Sequence, residues 1–217
     1  MNAVHKENRI AIRWVWMTLI CTLVFLILVL AIRIPGIKRL DNQLNQSLDP
    51  LRTKTLIAFF SKLTDFGDSQ LLSVIIALAM LYLLFRKKFF PMILLPAAFF
   101  AERQLNETLK SWVMRDRPAF PHLVPASGYS FPSGHAMNVS TVYGLLIVLI
   151  APLIQTKWVR KLWVVINLAM ILLIGFSRPF LNVHFFSDIL AGYCMGGLVV
   201  GLTSLILIFI DRRRRSR

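Results

Sequence analysis

The sequence predicts an all-α protein, a six-transmembrane-helix bundle with a short interfacial helix. Three observations predict it. Of the 217 residues, 57% are hydrophobic and only 16% charged, whereas a soluble domain carries about 25% charged residues. The apolar residues fall in runs close to the roughly 20 needed for a helix to cross the hydrocarbon core. The lysines and arginines sit in short clusters between those runs. A net charge of +15 distributed in that way excludes a nucleic-acid partner, which would require basic residues gathered on one soluble face. The membrane is the expected environment, and the chain, 1–217, is expected to be a single membrane-embedded domain. Cys21 and Cys194 each lie inside an apolar run and read as small buried hydrophobes without a disulfide framework.

Residues 14–32 supply the first span, with Trp14 and Trp16 at the level of an interfacial aromatic belt. The run is too long for a signal peptide, and Arg33-Ile34-Pro35-Gly36 offers no small-residue cleavage site, so it is expected to be retained. Residues 35–55 are polar, contain Pro35, Gly36 and Pro50, and read as a loop. In 56–64, Leu56, Phe60 and Leu63 fall at helical spacing, which predicts a short helix lying in the interface. Asp65-Phe66-Gly67-Asp68 breaks it, and 69–85 forms the second span, ending at Arg86-Lys87-Lys88. The third span, 89–112, begins with the apolar stretch 89–101 and continues through Glu102, Arg103, Asn106, Glu107 and Lys110. Glu102, Asn106 and Lys110 are four residues apart and so share one helix face; ionisable groups within a span normally face the bundle interior and mark function. Spans 136–154, 158–176 and 186–210 complete the six.

Basic residues set the orientation. With both termini inside, the cytoplasmic pieces hold Lys6, Arg9 and Arg13, then Arg86, Lys87 and Lys88, then Lys157, Arg160 and Lys161, then Arg212 to Arg215 and Arg217. Removing the third span would carry the 157–161 cluster and the arginine tail outside. The stretches 110–135 and 177–188 then emerge together on the outer face.

Those two stretches carry three fragments. The first is Lys110 followed, after six residues, by Arg117-Pro118. The second is Phe131-Pro132-Ser133-Gly134-His135, directly before the fourth span. Ser133 suits an N-cap and Gly134 permits close backbone approach, so free N–H groups and the helix dipole would face an anion such as phosphate. In the third fragment Ser177-Arg178 precedes His184, and Asp188 lies four residues beyond the histidine. A carboxylate at that spacing can hold one imidazole nitrogen and leave the other as base or nucleophile. Singly, each fragment also fits an ordinary reading: juxtamembrane cations, a capped helix with a surface histidine, a polar helix start with an incidental pair.

Together, Lys-x6-Arg-Pro, Pro-Ser-Gly-His and Ser-Arg-x5-His-x3-Asp resemble the three signatures of the type-2 phosphatidic acid phosphatase superfamily. Every motif position is matched, and the chain is similar to the small membrane-integral lipid phosphatases of that family. The resemblance implies that His184 attacks phosphorus and forms a phosphohistidine, that Asp188 fixes its tautomer, and that His135 protonates the leaving oxygen and then activates water. Lys110, Arg117, Arg178, Ser133 and Gly134 would hold the phosphate oxygens, in an outward-facing active site that needs no cofactor and no metal. Several preorganised cations suit a loose transition state whose charge spreads over the equatorial oxygens.

His135, His184 and Asp188 could in principle bind a metal, but three nearby cations oppose a divalent ion. His5 and His122 have no expected role, the first in the N-terminal tail and the second in a proline-rich loop. Glu102 and Arg103 are expected to pair within the bundle, Asn106 to orient a phosphate ligand, and Arg115 to be a solvated interfacial arginine more readily than an accessory contact. A phosphate-recognising transporter is the alternative of a different class; it would need the cations but neither His184 nor the Asp188 spacing. A haloperoxidase fits poorly because no large soluble domain encloses the pocket. The expected partner is a lipid phosphate in the bilayer, and nothing in the sequence sets an oligomeric state. An outward site suits undecaprenyl diphosphate, released outside during envelope synthesis, as lead substrate; phosphatidylglycerophosphate and phosphatidic acid are the alternatives.

Overall fold

In the computed structural model, which describes residues 3–215, eight α-helices and three short 3₁₀ turns make up the regular structure. Four stretches are long and apolar enough to cross a bilayer: Glu7–Ala31, Gly134–Leu153, Lys157–Phe180 and Phe186–Arg214. Lys54–Gly67 and Ser69–Phe85 meet that test together, bent by 53°. The chain is a multi-pass membrane protein.

Helix α1 (Ala3–Ala31) starts well before the expected apolar run and takes in His5, so that residue is helical and not in a tail. Arg217, counted above with the C-terminal cluster, lies outside the described residues. The segment 35–55, expected as a loop, instead forms α2 (Pro35–Gln46) and a 3₁₀ turn at Asp49–Leu51. The physical reason is local. Pro35 stands at the first helical position, where its missing N–H costs no hydrogen bond. Ile37, Leu40 and Leu44 do fall at helical spacing, but Leu40 and Leu44 are exposed and the residues that α2 buries are polar, Asp41 and Asn45. Pro35-Gly36, read from sequence as a loop signal, is the start of the helix.

Helix α3 (Lys54–Thr64) is capped by Thr53 and packs Phe60 on Phe180 and Phe176 at ring separations of 4.5 and 5.6 Å. A 3₁₀ turn at Asp65–Gly67 ends it, and Asp68 Oδ1 caps α4 (Ser69–Phe85) by accepting from the Gln70 N–H. Helix α5 (Phe89–Val113) ends at Met114, which is left-handed at φ 50°. Helix α6 (Gly134–Ile150) is the central element; its span is 72% buried, against 6% for that of α1. Helix α7 (Lys157–Phe180) runs past the expected end at 176, so Ser177 and Arg178 lie in its last turns and not in a loop. Helix α8 (Phe186–Arg215) also runs beyond its expected end at 210 and packs on both α6 and α1.

Within lipid the contact between helices gains little from the hydrophobic effect, and small residues permit the close approach that packing needs. A Cβ built on Gly196 of α8 would meet Ser140 Oγ at 1.9 Å and the Met137 carbonyl at 2.8 Å. Glycine is required there because α6 and α8 nearly touch. Two ends of the bundle result. At one, Arg212 meets Asn8 and Arg86 meets the Leu153 carbonyl. At the other, α2, α3 and the segments 114–133 and 181–185 gather, joined by Arg52 to the Phe180 and Pro179 carbonyls and by Leu123 to Leu181.

Candidate active site

The second end contains a cleft of about 390 Å³ lined by Lys110, Arg117, Gly134, His135, Arg178 and His184, with one rim formed by residues 125–127. Six of the eight residues singled out in the sequence therefore face one space. The other two, Ser133 and Asp188, are fully buried behind it. No carboxylate is among the side chains lining the cleft.

The wall from α6 forms because Ser133 is extended and its Oγ accepts from the Ala136 N–H at 3.4 Å, satisfying one of the first-turn donors. The Ser133 N–H itself donates to the Asp188 carbonyl at 3.1 Å, tying the head of α6 to α8. Gly134 is needed for space: a Cβ would stand 3.1 Å from Asn106 Oδ1 and 3.7 Å from Lys110 Nζ. Asn106 donates to the Pro132 carbonyl at 3.4 Å and so holds the turn.

The opposing wall is the turn between α7 and α8. Buried Arg178 donates to Thr64 Oγ1 at 2.9 Å, while its Nε has no partner. A buried cation with an unused donor on an anion-sized cleft is suited to a phosphate oxygen. His184 is only 2% exposed. Its Nδ1 lies 3.3 Å from Asp188 Oδ2, and its Nε2 lies 3.2 Å from Arg117 Nη1. A guanidinium can only donate, so Nε2 is the acceptor and the ring proton sits on Nδ1, facing the carboxylate. That tautomer leaves a lone pair directed into a cationic cleft. Burial first, then the charges of Arg178, Arg117 and Lys110, hold His184 well below the ordinary imidazole value, which keeps the ring neutral at pH 7. Arg117 is itself lowered from the ordinary guanidinium value by burial, opposed by Asp188. It also fastens the site, donating to the carbonyls of Val183, Gly128 and Ser127.

Three sequence expectations change. Arg115 is not a solvated interfacial arginine: its side chain is 10% exposed and donates to Asp188 Oδ1 at 2.6 Å and to Asp41 Oδ2 at 2.7 Å. Glu102 does not pair with Arg103; it is fully buried and neither carboxylate oxygen has a hydrogen-bond partner, whereas Arg103 lines a smaller polar cavity of about 150 Å³ beside Lys110, Gly134 and His135. Adjacent residues on a helix point about 100° apart, which separates the two. Arg178 is helical, as noted, and its position in the last turn of α7 is what buries it. His122 makes a local contact with the Pro118 carbonyl at 3.2 Å. Among the described residues, no group of three His, Cys, Asp or Glu side chains is placed to hold a metal ion.

Asp41, Asn45 and Ser187, all buried around the His184 turn, are not among the residues expected from sequence. The available signal was the four-residue spacing of Asp41 and Asn45 together with the proline start of α2.

The profile of the PAP2 superfamily matches residues 90–212. The chain is 33% identical over 198 residues to phosphatidylglycerophosphatase B of Bacillus subtilis (strain 168), covering 90% of this chain and 95% of that protein. It is similar to the crystal structure of a transmembrane PAP2-type phosphatidylglycerolphosphate phosphatase from Bacillus subtilis, with a TM-score of 0.81, 30% identity and coverage of 91% and 97% of the two chains. A further likeness is to Aquifex aeolicus LpxE, with a TM-score of 0.58, 26% identity and coverage of 76% and 93%.

Proposed function

The chain belongs to the PAP2 superfamily and is a membrane lipid phosphatase, and on that premise we propose that it removes the terminal phosphate of phosphatidylglycerophosphate through a phosphohistidine on His184. The observation that carries the mechanism is the placement of His184 between Asp188 at 3.3 Å and Arg117 at 3.2 Å on the wall of the cationic cleft. Lys110, Arg117 and Arg178, with the N–H groups at the head of α6 that Ser133 caps from behind, take the phosphate oxygens. His184 Nε2 attacks phosphorus, and the bond to the lipid oxygen breaks as His135, which takes up a proton when the bound phosphate's negative charge offsets the cleft's cations, donates that proton there. Asp188 stabilises the positive charge that the ring acquires. His135, now neutral, removes a proton from the water that cleaves the phosphorus–nitrogen bond, releasing phosphate and restoring both histidines. The cleft's own cations supply the charge stabilisation, with no metal in the scheme.

For the substrate, the names of the Bacillus relatives favour phosphatidylglycerophosphate over undecaprenyl diphosphate, the lead expected from the sequence. The diphosphate stands as second reading because loop charge favours an outward site. We read the fold as six spans within one domain of 1–217. Helix α5 runs between the same two ends as α4 and α6. Helix α1, which precedes the family segment, packs Phe25 on Phe131. Arg9, Arg13, Arg86, Lys87, Lys88, Arg160 and Lys161 favour placing their end of the bundle, and both termini, in the cytoplasm.

Phosphate release by purified protein from phosphatidylglycerophosphate, undecaprenyl diphosphate and phosphatidic acid tests the substrate; the expected order of kcat/KM puts the first highest. A preference of tenfold or more for either other lipid would refute it. His184→Ala is expected to abolish turnover and acid-labile phosphoenzyme, and Asp188→Asn to leave weak activity. Turnover by His184→Ala at the wild-type rate would end the nucleophile assignment and favour another catalytic group.

A further inference from the structure

Asp41 is 3% exposed, a buried acid on α2 that lies outside the phosphate cleft. It accepts from Arg115 Nη2 at 2.7 Å, from the Ser187 N–H at 3.2 Å, and from the Ser187 hydroxyl. Arg115 reaches across with its other amino group, donating from Nη1 to Asp188 Oδ1 at 2.6 Å and to Ser187 Oγ at 2.7 Å. Its guanidinium lies 4.2 Å from the centroid of the Phe185 ring. One turn along α2, Asn45 Nδ2 donates to the His184 carbonyl at 3.0 Å. Helix α2 therefore grips the histidine turn at two points and reaches Asp188 through one arginine.

The charges in this chain alternate. When the His184 ring becomes positive, an anion beside Nδ1 stabilises it. Asp188 provides that anion, yet Arg115 at 2.6 Å would cancel most of it in a site this dry. Asp41 in turn cancels Arg115, so the three groups together carry one net negative charge. Removing the Asp41 charge alone would leave the pair beside His184 neutral, in a pocket whose other charged side chains are the cations Lys110, Arg117 and Arg178. We infer that Asp41 is a positioning residue of the active site: with Arg115 it holds the Asp188 carboxylate against His184 and keeps that side of the nucleophile net negative. This rests on the reading of His184 as nucleophile.

The geometry also specifies the kinetic signature. Asp41 hydrogen-bonds to Arg115 and Ser187, neither of which lines the cleft, so phosphate binding should survive its loss while the step that makes the ring positive should not. An interaction realised only in the transition state lowers kcat and leaves KM alone. Displacement of a reacting group by about 1 Å can cost about 100-fold, and Asp41→Asn should lower kcat by roughly 10- to 100-fold.

The test uses the detergent-purified full chain and compares wild type, Asp41→Asn, Arg115→Lys and His184→Ala. The measurements are phosphate release from phosphatidylglycerophosphate, competitive inhibition by inorganic phosphate, and the acid-labile phosphoenzyme. The expected result for Asp41→Asn is the fall in kcat above with KM and the phosphate inhibition constant within about twofold of wild type. Arg115→Lys keeps the charge but loses the fork that spans two carboxylates, and should show the same split. Should Asp41→Asn lose phosphate inhibition altogether through misfolding, Arg115→Lys decides alone. Wild-type kcat in whichever variant still binds phosphate overturns the inference. So does loss of phosphate binding in both, which would make α2 a fold-holding element only. A wild-type enzyme that forms no phosphoenzyme, or an active His184→Ala, fails the nucleophile reading instead and is told apart by those two controls.

Discussion

Gly192→Ala should separate the two halves of the active site without altering any residue that lines it. Gly192 lies one turn beyond Asp188, against the first turn of α6. A Cβ there would meet the Ser133 carbonyl oxygen at 2.8 Å, Ala136 Cβ at 2.8 Å and the Met137 amide at 3.1 Å. Two of these are backbone atoms and cannot rotate aside. Ordinary contact begins at 3.4 Å and extends to 4 Å, so α8 must move from α6 by about 0.6 to 1.2 Å, an overpacking cost of about 1–3 kcal/mol. The same seam carries the hydrogen bond from the Ser133 N–H to the Asp188 carbonyl, so the displacement draws His184 away from the head of α6. A shift of about 1 Å in reacting groups lowers a rate by about 100-fold, and a kcat loss of roughly 10- to 100-fold is expected. Phosphate release and the thermal midpoint should be measured together, with Gly36→Ala as control, since nothing lies within 4 Å of its built Cβ. A folded Gly192→Ala enzyme with kcat within about twofold of wild type would refute the idea that this contact sets the distance between the two histidine-bearing elements.

Two further outcomes follow from the site. His135→Ala should slow phosphoenzyme formation less for a nitrophenyl phosphate, whose leaving group needs no proton, than for a lipid alcohol, and phosphoenzyme should then accumulate because water attack lacks its base; equal slowing for both leaving groups in a rapid-quench measurement would reduce His135 to a phosphate ligand. His184 titrates well below the ordinary imidazole value when folded and at about 6.5 when unfolded. Below that pH the unfolded chain binds more protons, so the stability this group confers is complete above pH about 6.5 and is lost progressively as pH falls from there to the lower folded value. The thermal midpoint should drop on acidification, and His184→Gln should remove part of the slope; identical slopes for the two proteins would contradict the burial of a neutral ring.

Much of this was legible because lipid-spanning helices and short motifs write themselves locally. The breaks at 65–68 and 86–88, the start of α5 and the N-cap at Ser133 all follow from residues within a few positions of one another. The His184–Asp188 pairing was legible for the same reason, a four-residue spacing on a turn entering a helix. Arg115 was not. Its partners are Asp41, 74 positions away, and Asp188, 73 positions away, and no periodicity connects three such segments. Helix α2 was missed because Pro35, Gly36 and Pro50 read as loop signals although Ile37, Leu40 and Leu44 fall at helical spacing, and the Glu102–Arg103 pair was wrongly expected because sequence adjacency says little about direction on a helix. What sequence reading lacks here is the return of distant segments to the same end of the bundle, which decides which charges meet.

That return also makes the side of the membrane testable. Ala119 lies exposed in the segment after Arg117, at the end that holds the cleft, and Gln155 lies exposed between α6 and α7 at the opposite end. Cys21 and Cys194 sit within α1 and α8 and can be replaced, leaving one introduced cysteine at a time. In intact cells a membrane-impermeant maleimide should label Ala119→Cys and spare Gln155→Cys, with both labelled after permeabilisation. The expectation rests on basic residues at the Gln155 end: Arg86, Lys87 and Lys88 on one turn, Lys157, Arg160 and Lys161 on the next. Cytoplasmic loops carry the excess of lysine and arginine because those charges resist translocation. The outcome bears on chemistry as well as topology. The cleft is mostly cationic and set at the end of the helices, so a lipid reaches it only from the leaflet it occupies. An outward cleft obliges a phospholipid phosphate made on the inner leaflet to cross the bilayer before hydrolysis, and makes its turnover in cells depend on that crossing. The reverse labelling pattern would remove the crossing step, overturn the outward site, and withdraw the one argument that favours undecaprenyl diphosphate as the second substrate.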